Sequence, residues 1–225
     1  MRFLLSLQQD AKLFIYIHAL LMLFRCAFLV IYSGQLGNAG AEDVAEALWL
    51  GARISLKTTA FLVGFPFVFG TIPYALWKKW PVGGIRKILG SVAVGLMTLL
   101  FMVRIPYYEI FHQGFNIMLF NGMKDDRMAI WQTAVQQYQL WPRLFGALAL
   151  MAFFIWGLIK FLETPVYYPR HHVRILDMAA VVMVPVFAVF CRFGGAFHSD
   201  SGVPWESAAR THYTAVSYTH LTLPT

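Results

Sequence analysis

Glu109 and His112 stand three apart in the stretch Arg104-Ile-Pro-Tyr-Tyr-Glu-Ile-Phe-His-Gln-Gly-Phe-Asn-Ile-Met-Leu-Phe-Asn121. Glu-x-x-His on a helix is the pair that carboxylate-bridged di-iron sites use, but those sites take two such pairs and two further glutamates. One copy assigns no metal. His171 and His172 are adjacent and point in different directions, which suits a solvated loop. His18 and Arg25 lie seven apart and share a helical face. A haem would need a second histidine inside a span, and none is present, so the two read as a packing histidine and an arginine reaching for the interface. Cys26 and Cys191 have no Cys-x-x-Cys partner and read as small buried hydrophobes, with a disulfide between them left open.

The cations carry more information. Arg25, Lys57, Arg104 and Arg192 fall near what reads as the same membrane surface. Basic groups at that depth suit the phosphate of an anionic lipid. Arg25, Arg104, Tyr108, Glu109, His112 and Arg192 are therefore the residues expected to meet a phospholipid head group. No catalytic set accompanies them: the chain has no Gly-x-Ser-x-Gly, His-Glu-x-x-His or Walker A motif, and no paired carboxylates on a shared helix. The chain by itself is expected to be inactive.

The elements that must position these groups are membrane spans. Of 225 residues, 59% are hydrophobic and 13% charged, far from the composition of a soluble domain. The apolar residues come in blocks of the roughly 20 residues that cross a bilayer. The fold class is all-α integral membrane, with five spans predicted at about 13–32, 54–77, 88–103, 144–162 and 175–190. The formal charge of +7 fits a multi-pass protein whose loops collect Lys and Arg, and nucleic acid is not expected as a partner.

Before the first span stands a short head with Arg2 and Lys12, and after it an acidic loop with Glu42, Asp43 and Glu46. Pro66 and Pro73 should kink the second span. Lys78, Lys79, Arg86 and Lys87 read as a basic loop before the third, where Ser91 and Gly95 offer a close-packing surface. No span carries an acid at its middle, and Asp177 sits at the edge of the fifth; transporters coupled to ions usually hold such carboxylates. Between spans three and four, Arg104, Tyr107, Tyr108, Glu109, His112 and Asn116 line one side of a helix and Phe111, Phe115, Met118 and Leu119 the other. That pattern predicts an amphipathic helix lying in the outer interface. Trp131, Val135, Tyr138 and Trp141 suggest a second interfacial segment.

Orientation follows from the short loops. Arg2, Lys12, Lys78, Lys79, Arg86, Lys87, Lys160, Arg170 and Arg174 are packed into less chain than Arg53, Lys57, Arg104, Lys124, Arg127, Arg143, Arg192 and Arg210. Short basic loops stay in the cytoplasm, so the N-terminus is expected inside and the C-terminus outside.

Ile105-Pro-Tyr-Tyr-Glu-Ile-Phe-His-Gln-Gly-Phe-Asn116, Arg192-Phe-Gly-Gly-Ala-Phe197 and Pro204-Trp-Glu206 together resemble bacterial lipoteichoic-acid-synthase-like proteins of the sulfatase and alkaline-phosphatase superfamily. The resemblance covers about residues 1–213. It implies five helices in the bacterial cytoplasmic membrane, then a large extracytoplasmic catalytic domain with a threonine nucleophile and a divalent metal, typically manganese. Such enzymes move phosphoglycerol, or a related group such as phosphoethanolamine, from a phospholipid to an acceptor. The implied partners are anionic membrane phospholipids and that catalytic domain. No nucleophile or metal ligand carries over, because none of the threonines from Thr58 to Thr133 sits in a catalytic-domain context.

Ser217-Tyr-Thr-His-Leu-Thr-Leu-Pro-Thr225 looks like a translated sequencing adapter and has no periodicity for a sixth span. The expected organisation is a five-span domain at 1–192, the start of an extracytoplasmic linker at 193–214, and an adapter-derived tail at 215–225. A stand-alone transporter or membrane scaffold is the alternative.

Overall fold

A computed structural model describes residues 2–35, 40–77, 79–111, 140–166, 173–198 and 201–203. The long helices are α1 (Arg2–Ile31), α2 (Ala41–Pro66), α4 (Val82–Phe111), α5 (Leu140–Glu163) and α6 (Val173–Arg192). A five-residue π-helical segment, Phe67–Thr71, joins α2 to the short α3 (Ile72–Leu76), and no strand occurs among the described residues. Among the described residues five stretches are long and apolar enough to cross a membrane, counting α2 through α3 as one. The chain is an all-α membrane protein. Its surface agrees: Phe61, Phe153, Trp156 and Val182 are each at least 60% exposed, while Asp10, Thr71 and Arg86 are buried. In water that distribution would be inverted; in lipid it is what a helix presents outward.

The chain divides into two compact units, Met1–Gly90 with Leu162–Thr225, and Ser91–Phe161. In the first, α1 buries Ser6, Asp10, Leu13, Ile17, Leu20 and Phe24, which alternate at spacings of four and three, the seam of a coiled-coil helix. Facing chain in α2 buries Gly51, Ser55, Thr59 and Val63, each four apart, and then Pro66. Small residues let two backbones approach where lipid provides no hydrophobic drive between helices. Thr59 keeps its hydroxyl satisfied by donating to the Ser55 carbonyl at 2.7 Å.

Several expected boundaries move. The head of the chain is not a loop: α1 already begins at Arg2, and the Asp177 carboxylate on α6 accepts a hydrogen bond from the Leu4 amide at 3.2 Å. That bond satisfies one of the donors a helix start leaves open. The acidic loop is likewise the first turn of α2, where Asp43 accepts from the Gly40 amide at 2.8 Å and Glu42 and Asp43 sit at the favourable end of the helix dipole. Arg86 and Lys87 belong to α4 rather than to a loop. Each segment looked like a loop because it is polar, yet Lys12, Asp43, Arg86 and Lys87 all find partners within the first unit. Lys12 donates to the Thr164 carbonyl and hydroxyl at 2.6 and 2.7 Å, and Lys87 meets Glu163 at 3.1 Å.

The kink at Pro66 and Pro73 is a widened π turn. Its closing bond runs from the Ile72 amide to the Phe67 carbonyl, five residues back. Pro73 has no amide hydrogen to give the Phe69 carbonyl. The indole nitrogen of Trp80 supplies that bond instead, at 2.9 Å.

In the second unit, Gly95 of α4 lies against Met151 and Ile155 of α5; a Cβ there would meet the Met151 sulfur at 3.2 Å. The close-packing surface read at Ser91 and Gly95 is real. Helix α4 does not stop at Val103 but runs through Pro106 to Phe111, so residues 104–111 are its last turns. The rest of the amphipathic stretch, from His112, and the aromatic segment before Leu140 lie outside the described residues, as do His171, His172 and everything after Val203. Cys26 and Cys191 are both free, so the disulfide left open by the sequence is not formed.

Candidate lipid head-group site

Helix α2 carries two kinds of side chain on opposite faces at one level. Gly51 and Ser55 point to α1; Arg53 and Lys57, four apart, share the other face, since two residues turn a helix through about 200°. On the first face lies Arg25. Its guanidinium fills the space that Gly51 leaves, so that any Cβ at position 51 would collide with it, and it donates to the Ser55 hydroxyl at 3.3 Å. Arg25 is thus packed between helices, not extended to an interface.

The second face holds the chain as it leaves α6. That helix ends in a Schellman turn: the Gly194 amide bonds to the Cys191 carbonyl at 3.0 Å and the Gly195 amide to the Phe190 carbonyl at 2.9 Å. Both glycines have positive φ, 65° and 83°. A side chain at Gly194 would also press on the Arg53 carbonyl, 3.0 Å from an added Cβ. Glycine is required there twice over, by conformation and by approach. Arg53 donates through Nε to the Gly194 carbonyl at 2.7 Å and through Nη2 to the Ser201 carbonyl at 2.5 Å. Lys57 donates to the Val203 carbonyl, and the Val203 amide returns to the Phe193 carbonyl at 3.4 Å. The ring of Phe197 turns back onto Phe190, centroids 5.2 Å apart. The described residues beyond Arg192, 193–198 and 201–203, read as the start of a linker, therefore return to α2 through Gly194, Ser201 and Val203.

Lys57 is within electrostatic reach of both Arg53 and Arg192. Three cations from α2 and the last turn of α6 gather where the chain exits the membrane-spanning part. The partners described here for Arg53 and Lys57 are three neutral carbonyls, those of Gly194, Ser201 and Val203, and an anion placed here would be attracted by all three cations.

The residues expected from sequence fall as follows. Arg25 and Arg192 are in the first unit, on different faces of α2's surroundings. Arg104, Tyr108 and Glu109 are in the second, on the final turns of α4, with Arg104 and Glu109 exposed and Tyr108 half-buried. Glu109 pairs with Arg143 of α5 at 3.5 Å, both side chains more than 40% exposed. A pair so exposed is worth about 0–1 kcal/mol. His112 lies outside the described residues. Sequence reading missed Arg53 as a site residue; its signal was the Arg53-x-x-x-Lys57 spacing, which puts two cations on one helical face.

The sequence also gave no sign of a buried polar network around Arg86. Arg86 donates through Nε to Asp10 at 2.6 Å and through Nη2 to the Ser6 hydroxyl at 2.7 Å, the Ser6 carbonyl at 3.1 Å and the Thr71 hydroxyl at 3.1 Å. Thr71 donates in turn to the other Asp10 oxygen. Asp10 is the ninth residue of α1, toward one end of that helix rather than at its middle, and it is fully engaged. Among the described residues no three His, Cys, Asp or Glu side chains come together, so none is assigned to a metal.

Fold and site define a multi-pass α-helical membrane protein with a cationic layer at one end of its first unit. The chain matches no protein-family model, no curated protein and no solved structure.

Proposed function

We propose that this chain is the membrane-anchoring, lipid-positioning part of an extracytoplasmic phospholipid head-group transferase of the phosphoglycerol type. The observation that carries the reading is the convergence of Arg53, Lys57 and Arg192 at the exit of α6. A transferase acting on lipid head groups has to meet them at the bilayer surface, beside the chain that leads to its catalytic residues. Cations fixed at that exit would hold a phosphate near the reacting groups, and holding a substrate in place is itself a large part of catalysis. The resemblance in Arg192-Phe-Gly-Gly-Ala-Phe197 supports the same class. In this reading the protein sits in a bacterial cytoplasmic membrane, N-terminus inside and the residues after α6 outside. The threonine nucleophile and the manganese or other divalent ion belong to a domain not contained in this sequence.

A stand-alone transporter or scaffold is the second reading, and the buried Asp10–Arg86 pair is the observation that favours it, because ionisable groups inside membrane helices often line substrate paths. Sequencing the source locus past codon 214 and expressing the whole frame separates the two. We expect release of diacylglycerol from phosphatidylglycerol by the whole protein. A frame that stops within a few codons, with ligand-dependent flux in vesicles and no diacylglycerol, would overturn the transferase reading.

A further inference from the structure

The cations at the exit of α6 already have occupants. Every bond described for Arg53 across this face ends on a backbone carbonyl of the exit segment, at Gly194 and Ser201, and Lys57 reaches the carbonyl of Val203. These oxygens are neutral. The cationic donors already make these bonds charge-assisted, but to an ionised oxygen they would add the direct attraction between opposite full charges. A phosphate oxygen would therefore be the better acceptor for the same N–H groups.

We infer that the segment docked on α2 is a strap that an anionic head group displaces: phosphate oxygens take over the donors of Arg53 and Lys57, and the carbonyls of Ser201 and Val203 let go. The strap rests on the head-group reading above and adds its regulation. Without an anion, the chain leaving α6 is pinned to the membrane-embedded helices. With one bound, the chain is released beyond the Schellman turn, which needs neither cation and stays formed through the Cys191 and Phe190 carbonyls. The fixed point and the release point are thus only a few residues apart. Two features fit a strap that can leave. Among its described residues beyond the Schellman turn, only Val203 is a buried side chain, while Phe197, His198 and Ser201 are exposed. The bond closing it, from the Val203 amide to the Phe193 carbonyl, is long at 3.4 Å.

The test is amide hydrogen exchange of the full chain in nanodiscs, read at Val203 against Gly194 and Gly195. The three arms are phosphatidylcholine alone, phosphatidylcholine with phosphatidylglycerol, and phosphatidylcholine with inorganic phosphate in solution. Bound lipid is counted in parallel by native mass spectrometry. We expect exchange at Val203 to accelerate about tenfold with phosphatidylglycerol, the change that follows from a shift of roughly 1.4 kcal/mol, while the two glycines stay protected. An anionic surface attracts protons and slows base-catalysed exchange, so the expected change runs against that background. Acceleration by inorganic phosphate as well would identify the phosphate group as sufficient; acceleration by the lipid alone would place the recognition on the membrane-bound head group. Either supports the strap. Arg53→Gln should give fast exchange at Val203 in all arms, and Lys57→Gln serves the same purpose if that variant does not fold. Phosphatidylglycerol that binds without changing Val203 exchange overturns the strap and leaves the head-group reading standing. Absence of anionic lipid binding overturns both.

Discussion

Asp10 and Arg86 form a buried ion pair within the first unit. Each is nearly inaccessible, and their bond at 2.6 Å is reinforced by Ser6 and Thr71. Removing one partner of a buried pair leaves the other charge unsatisfied and costs about 3–5 kcal/mol, whereas replacing both with neutral groups of similar volume is often harmless. Asp10→Asn and Arg86→Gln alone are each expected to lower stability by about that amount, while Asp10→Asn combined with Arg86→Met should recover most of it. Denaturant titration in mixed micelles checks this. Single variants within about 0.5 kcal/mol of wild type would show that the network does not hold these helices together. Neither residue announces this role in the sequence. Each sits among polar neighbours at the end of an apolar run, and their partnership spans 76 positions. Arg25 misleads in the opposite direction. An arginine near the end of a span is expected to reach for water, but Gly51 opens a space beside it and Ser55 accepts its hydrogen bond.

At the scale of elements, composition made the spans legible and left their ends obscure. Hydropathy finds the part of a helix that lies in lipid; it is blind to turns that continue beyond it. Helix α1 runs on to Arg2, α2 begins at Ala41 and α4 extends from Val82 to Phe111 because local caps and cross-helix bonds replace the apolar signal. The small-residue face at Gly95 was visible, while the longer one at Gly51, Ser55 and Thr59 was hidden in a stretch that looked half polar. Prolines 66 and 73 correctly marked the interruption of the second span, but only the fold reveals that Trp80 repairs it. A double-mutant cycle isolates that repair. Trp80→Phe should cost about 1 kcal/mol in the wild-type chain and far less in Pro73→Ala, where a backbone amide is again available for the Phe69 carbonyl. Equal costs in both backgrounds would mean that the indole bond contributes nothing specific.

At the scale of the whole molecule, large apolar side chains face outward and the Asp10–Arg86 pair is buried. Five apolar stretches were legible from the sequence, and five helical stretches long enough to span are found among the described residues. Of the cations gathered at the exit of α6, Lys57 and Arg192 stood out in the sequence and Arg53 did not, and the Gly-Gly turn before the exit segment looked like the beginning of a linker. Long-range return of a chain onto an earlier helix leaves no periodic trace. The most direct test of the central claim is equilibrium retention of lipid by the purified chain, phosphatidylglycerol against phosphatidylcholine, for wild type and for Arg53→Gln/Lys57→Gln/Arg192→Gln. Each basic group near an anionic surface contributes about 1 kcal/mol, so the triple variant is expected to lose the preference for phosphatidylglycerol by roughly a hundredfold while remaining folded. The same preference in wild type and triple variant, or no preference in wild type, would contradict the claim that these three cations form a head-group site.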